Sequence, residues 1–292
     1  MPNPLNSLGF KFLKNALTSS HGAKDRVGLS RRGFLILAAG MTSCRNTVQR
    51  GPIPTDPNGR PIPQNPTMRF SSDFSIKDDV TYTRALVSGK YIAMTFDDGP
   101  HPQNTPRLLK ILSQRNIKAT FFVIGQSVQN HPQVLRQTID EGHEIGNHTQ
   151  THRLLTKLND DQLRWEFDKC RDAIQQAAGY EPKLMRPPYG ALSGRQRALA
   201  YNEYGYPTIL WSVDPMDWKR PGPSVVASRI LNNTNQGSIV LAHDLHSGTV
   251  SAMPATLDGL LRRGFKFVTV SQLLAMQAEL AQSKSMATQA NS

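Results

Sequence analysis

From about Lys90 onward, short apolar runs alternate with amphipathic stretches seven times in roughly 190 residues, and few folds accommodate that rhythm. The apolar runs predict strands at Tyr91–Phe96, Ala119–Ile124, Glu144–Gly146, Lys183–Arg186, Thr208–Ser212, Ser238–His243 and Lys266–Thr269. The stretches between them predict helices at Thr105–Arg115, Pro132–Glu141, Asp160–Ala178, Gly194–Tyr204, Ser224–Asn232, Pro254–Arg263 and Val270–Gln282. Strand and helix alternating through short links imply a parallel sheet. Seven such units point to an α/β fold that closes, or nearly closes, into a barrel; an open doubly wound sheet is the alternative. No Gly-x-Gly-x-x-Gly fingerprint follows the first strand, so nucleotide binding has no support. There is no internal repeat and no coiled-coil heptad.

Polar signals sit at the carboxyl ends of these strands. Asp97 and Asp98 follow the first, His148 the third, Arg186 the fourth, Asp214 and Asp217 the fifth, and His243 ends the sixth. In a parallel barrel those ends meet on one face, where active sites lie. Asp97 and Asp98 stand in Thr95-Phe96-Asp97-Asp98-Gly99-Pro100, and an Asp-Gly pair alone reads as an ordinary turn. His148 and His152 stand four apart in His148-Thr149-Gln150-Thr151-His152, a spacing that shares one face of a helical turn. One Asp and two His suit a divalent ion such as zinc. The second Asp is then free to act as a base, which outlines metal-assisted hydrolysis. Arg186-Pro187-Pro188-Tyr189-Gly190 is a stiff turn whose Tyr189 amide can be aimed in advance at a developing oxyanion. Arg186 can hold Asp97 ionised and oriented. Asp214 and Asp217 precede Trp218, whose face suits a sugar ring as well as a core. His243 is a candidate general acid kept protonated by a carboxylate. His101, His131, His143 and His246 lack such context and read as surface, supporting or core residues.

The first 85 residues have a different texture. Ser30-Arg31-Arg32-Gly33-Phe34-Leu35 carries a twin-arginine pair, and the apolar run Phe34–Met41 is far shorter than the ~20 residues that span a bilayer. This reads as an export signal over residues 1–43. Met41-Thr42-Ser43-Cys44 resembles a lipoprotein signal-peptidase site. A lipidated Cys44, or an uncleaved signal, is then expected to hold the protein at a membrane in the periplasm or cell envelope. Pro52, Pro54, Pro57, Pro61, Pro63 and Pro66 mark residues 44–85 as an extended tether. A catalytic domain is expected over 86–282 and a polar tail over 283–292. Hydrophobic content of 38% is low for 292 residues, consistent with a leader outside the core. Cys170, on a predicted helix, reads as a small buried hydrophobe. The net charge of +12 falls to +7 beyond residue 43, where 28 basic residues face 21 acidic ones, with no block of five like charges. A solvated basic surface explains that balance, so no nucleic-acid partner is expected.

Taken together, five separated motifs over residues 90–275 resemble the polysaccharide deacetylases of carbohydrate esterase family 4, which act on chitin and peptidoglycan N-acetylglucosamine. The resemblance implies a distorted, TIM-like (β/α)7-8 barrel and removal of N-acetyl or O-acetyl groups from a polysaccharide, with acetate released. It implies Asp97 as catalytic base and Asp98, His148 and His152 as ligands of one divalent metal, usually zinc, with Co2+, Mn2+ or Ni2+ able to serve. It implies Arg186 as the restraint on the base, Tyr189 as backbone oxyanion donor, and His243 as general acid. Leu241 matches an apolar wall of the acetyl pocket and Trp218 a groove-lining aromatic. Asp217 is favoured over Asp214 as partner of His243, because it adjoins the tryptophan. Arg153 departs from the family's usual Pro or Leu after the second His. Two other classes stand beside this one: a non-catalytic, tethered glycan-binding protein, and a metal amidohydrolase acting on a small non-sugar amide.

Overall fold

A computed structural model describes residues 80–290. The leader, Cys44 and the expected tether up to residue 79 lie outside the described residues. Seven strands and eight α-helices follow in chain order: β1 (Thr81–Tyr82), β2 (Tyr91–Asp97), α1 (Asn104–Ser113), β3 (Thr120–Val123), α2 (Gly125–Asn130), α3 (Pro132–Asp140), β4 (Glu144–Asn147), α4 (Asp160–Ala178), α5 (Gly194–Tyr204), β5 (Thr208–Ile209), α6 (Pro223–Asn233), β6 (Ile239–Val240), α7 (Ser247–Arg262), β7 (Lys266–Phe267) and α8 (Val270–Ala290). All the strand ladders are parallel.

The strands run in the order β4-β3-β2-β6. Single bridges carry the ring onward: Met185 pairs with Asn147 on one side and Thr208 on the other, and Val213 pairs with Val240 of β6. The ring is therefore closed, and its short, interrupted strands make it a distorted (β/α) barrel. β7 pairs with the first residues of β2, below β3, and β1 pairs with β5.

β2 shows how the pleat divides the molecule. Ile92, Met94 and Phe96 pack outward into a large cluster with Leu108 and Leu112 of α1, Ile174 of α4 and Leu257 of α7. Ala93 turns inward to meet Phe122, Leu184, Ile209 and Ile239, and Val270 and Leu273 of α8 pack into the same inner cluster. Thr95 and Asp97 share the inward face with Ala93, as the period-two geometry of a strand requires. Each fully buried large apolar side chain contributes about 1.5–3 kcal/mol.

Four expectations shift. Lys183–Arg186 is not a strand; only Met185 bridges its neighbours. α7 begins seven residues before Pro254, which lies inside the helix. β1 falls within the stretch expected to be tether, and α8 continues to Ala290 through the expected polar tail. Among the described residues, no helix is long and apolar enough to cross a membrane.

Candidate active site

Asp97 is the last residue of β2, and Asp98 leaves the strand with φ of 74°. That left-handed step lets adjacent carboxylates face different partners. Asp97 Oδ1 accepts a 2.7 Å hydrogen bond from Arg186 Nη1, leaving Oδ2 3.8 Å from His148 Nε2. Asp98 Oδ1 lies 3.4 Å from His148 Nε2 and 3.3 Å from His152 Nε2, and is buried without a hydrogen-bond partner. Burial opposes charge on Asp98, but His148 and His152 outweigh it and hold the carboxyl at about 2. His152 is pushed down by burial first and by His148 second.

The His pair meets for a reason other than helical spacing. Residues 148–152 form a loop beyond β4, not a helix. Thr149 and His152 have φ of 70° and 57°, and these two left-handed steps fold the loop back on itself. Asn147 Oδ1 accepts from the Thr149 N–H at 2.8 Å, and the Thr149 hydroxyl accepts from the His152 N–H at 3.1 Å. Glu166 of α4, fully buried, accepts from the N–H of Thr151 at 2.8 Å and from its hydroxyl. The rings of His148 and His152 end 5.0 Å apart. His148 Nδ1 donates to the Arg186 carbonyl at 2.7 Å, which leaves the Nε2 lone pair facing Asp98.

This trio fits a divalent cation. Among the described residues it is the one group of three whose ligand atoms all lie within 4.8 Å of one another. A tetrahedral ion with bonds of about 2.0–2.1 Å sets its ligands about 3.3–3.4 Å apart. The Asp98–His separations of 3.4 and 3.3 Å match that edge. The otherwise orphaned Asp98 oxygen is what such an ion would satisfy.

Arg186 fills the barrel beneath Asp97. It is fully buried, and its Nη1 also donates to the Thr95 hydroxyl at 2.7 Å. Nε and Nη2 donate to the carbonyls of Ile209 and Leu210, and the guanidinium lies 4.2 Å from the centre of the Phe122 ring. Pro187 and Pro188 follow, and Tyr189, 66% exposed, takes φ of 60°. Its ring meets His152 edge-on at 4.8 Å.

His243 pairs with Asp97 across adjacent strand ends. Its Nδ1 and backbone N–H both reach Asp217, at 2.8 Å each, and the Thr249 hydroxyl donates to Asp217 Oδ2 at 2.8 Å. Burial disfavours charge on His243, but Asp217 prevails and lifts it to about 9. Asp214 plays no such part; its Oδ1 accepts from the Met216 N–H at 2.7 Å. Met216 and Arg220, at φ of 52° and 53°, bracket the turn that carries Asp217 and the half-exposed Trp218. Leu241 is buried and donates to the Val213 carbonyl. Six of the seven non-glycine residues with positive φ among the described residues stand in these site loops, Asn116 being the exception. Left-handed backbone costs about 1–3 kcal/mol per residue and collects where function holds it.

Two clefts flank the site on either side of Leu245. One of about 370 Å³ is lined by Asp98, His101, His131 and His152, the other of about 380 Å³ by Asp217, Arg220, His246 and Thr249. Two of the remaining histidines accept hydrogen bonds from the backbone. His101 Nδ1 accepts from the Gln103 and Asn104 N–H groups, and the buried His143 accepts from the Ala119 N–H. Cys170 is fully buried, with burial pushing its thiol up to about 12. Thr95, Glu166, Asp244 and Thr249 escaped the sequence reading. Thr95 had a legible signal, the inward alternation Ala93, Thr95, Asp97. Glu166 had one too, an acid at a position of α4 where the spacing calls for an apolar side chain.

A family model described as polysaccharide deacetylase matches residues 85–209. A peptidoglycan-N-acetylglucosamine deacetylase of Bacillus cereus is 35% identical over 233 residues, covering 75% of this chain and 83% of that protein. The peptidoglycan-N-acetylglucosamine deacetylase PgdA of Listeria monocytogenes is 39% identical over 193 residues, 66% of this chain; the chain spans 41% of that longer relative. Among solved structures, the peptidoglycan deacetylase PdaC of Bacillus subtilis superimposes with a TM-score of 0.64 at 35% identity, over 69% of this chain and 98% of that one.

Proposed function

Since the chain belongs to the polysaccharide deacetylase family, we propose that it is a metal-dependent hydrolase removing N-acetyl groups from N-acetylglucosamine units of a polysaccharide. One observation carries the reading: a clamped carboxylate, a three-ligand set and an Asp-held imidazole converge at one mouth of the barrel. Asp98, His148 and His152 would hold the ion, with zinc the first candidate and cobalt, manganese or nickel next. When bound, the cation supplies Lewis-acid polarisation of the acetyl carbonyl and acidifies water.

The chain's own groups then divide the work. Asp97, oriented through Oδ1 by Arg186, offers Oδ2 as base and takes a proton from the attacking water. The Tyr189 N–H donates to the developing oxyanion. His243, kept protonated by Asp217, delivers a proton to the departing amine, leaving glucosamine and acetate. Leu241 walls the acetyl pocket, and Trp218 offers an exposed face to a neighbouring sugar. Clefts on both sides of the site favour an extended polymer over a small amide.

Peptidoglycan is the first substrate, supported by the names of the Bacillus and Listeria relatives and by the export-type leader. The leader and Cys44 also support an envelope location with a lipid anchor. Acetate release from peptidoglycan fragments, chitin oligomers, exopolysaccharide and acetylxylan, with and without chelator, tests the proposal. Chelator-sensitive release from the N-acetylated polymers is expected. Release from none of the four, with metal supplied, would refute it.

A further inference from the structure

Asp244 is a buried acid that none of the steps above employs. It directly follows His243, and its carboxyl is fully buried with Oδ1 unpartnered. Oδ2 accepts from the hydroxyl of Thr105 in the first turn of α1. The same hydroxyl accepts from the His101 N–H at 2.8 Å, and the Thr105 N–H donates to the His101 carbonyl at 3.2 Å. Asn104 Nδ2 donates to the Leu245 carbonyl at 2.9 Å. Gly99, directly after Asp98, presses against this carboxyl. A Cβ built on Gly99 would fall 2.5 and 2.6 Å from the two Asp244 oxygens.

A buried carboxyl with an unsatisfied oxygen is costly, and stability alone would favour an apolar isostere. The cost coincides with a position that joins the two halves of the site. On one side the carboxyl touches the loop that carries Asp98; on the other it continues the strand end that carries His243. We propose that Asp244 is a positioning residue: by gripping Gly99 and the Thr105–His101 turn, it fixes the Asp98 carboxylate in register with His243. The inference rests on the reading of Asp98 as a metal ligand.

The test is titration of metal-free, full-length protein with Zn2+ and with Co2+, the latter followed by its ligand-field spectrum. Wild type is expected to take up one equivalent. Asp244→Ala is expected to lose affinity about 10- to 100-fold, the range seen when groups supporting a ligand are removed. Asp244→Asn keeps an acceptor for Thr105 and is expected to recover most of that loss. Gly99→Ala alone is expected to lose affinity, because its methyl needs the space the carboxyl fills. In the double variant the space is free, so the Gly99→Ala loss is expected to vanish. Thr105→Val is expected to weaken affinity in the same direction, and stands in if Asp244→Ala does not fold. Asp244→Ala with wild-type affinity and spectrum, whatever its melting temperature, overturns the inference while leaving the proposed function intact. Additive losses in the Gly99→Ala/Asp244→Ala pair overturn it as well. A wild type that takes up no cation sinks the metal reading itself, and the inference with it.

Discussion

Two neighbouring carboxylates show how far one backbone step separates chemical roles. Asp97 ends a strand and is gripped by a buried guanidinium; Asp98, one left-handed residue later, faces two imidazoles. Asp97→Asn is expected to cut acetate release roughly 100- to 10,000-fold, the usual worth of a general base, while metal content by elemental analysis stays at wild-type level. His148→Ala is expected to lose metal and activity together; full activity in either variant would contradict the assignment. The acid side has its own test. A general acid works only while protonated, so its pKa sets the high-pH limit. Asp217 lifts His243 to about 9, and a dication nearby would lower that value. Asp217→Asn removes the charge that raises His243, so the basic limb of kcat/KM is expected to move about 1–3 units toward acid. Asp214→Asn is expected to leave the limb in place, since Asp214 only accepts from a turn N–H. A limb unmoved in Asp217→Asn would remove His243 from the role.

At the scale of elements, what the sequence encoded locally was legible and what tertiary contact decides was not. α4 and α5 begin and end where the sequence places them, because Asn159–Gln162 and Ser193–Gln196 are capping boxes and Gly179 and Gly205 close the helices in left-handed conformation. α2 went unseen: Gly125–Asn130 is six residues long with no apolar period to detect. The start of α7 was hidden because Pro254 reads as a first-turn residue when met alone. Met185 behaves as one strand residue between two neighbours, which no periodicity can show. In the site, residue types and strand-end positions were readable, and the shape of the loop that carries His148 and His152 was not. His148 and His152 meet through left-handed steps at Thr149 and His152 and through the Glu166 clamp, and four-residue spacing only happened to agree. The sheet holds a close approach that the sequence does not show either. A Cβ on Gly146 of β4 would lie 2.4 and 2.5 Å from atoms of the Phe122 ring, which itself underlies Arg186. Gly146→Ala is expected to destabilise the fold by about 1–3 kcal/mol, the cost of overpacking a core, read by urea denaturation. A smaller loss would mean that Phe122 is free to move aside, and with it the support beneath Arg186.

For the molecule as a whole, the proposed ligand set would tie separate parts of the barrel together. Asp98 comes from the end of β2, and His148 and His152 from the loop after β4, with β3 between them. Only the closed barrel brings the three together, so a cation bound there stabilises the folded state and not the unfolded chain. At a free concentration one hundred times the dissociation constant the gain is about 2.7 kcal/mol. In a domain of roughly 200 residues each kcal/mol is worth about 2–4 °C, so saturating zinc is expected to raise the melting temperature by roughly 5–11 °C. Chelator is expected to reverse the rise. The increment is also expected to shrink on acidification, because protons compete with the cation for His152, and burial moves that competition below the ordinary histidine range. The decisive comparison is calorimetry of wild type and His152→Ala with and without zinc. His152 is partly exposed at the rim, so the variant keeps the core intact and loses one ligand. A zinc increment that persists undiminished in His152→Ala would place the bound ion elsewhere on the chain and detach the metal from the carboxylate and imidazole groups gathered at the barrel mouth.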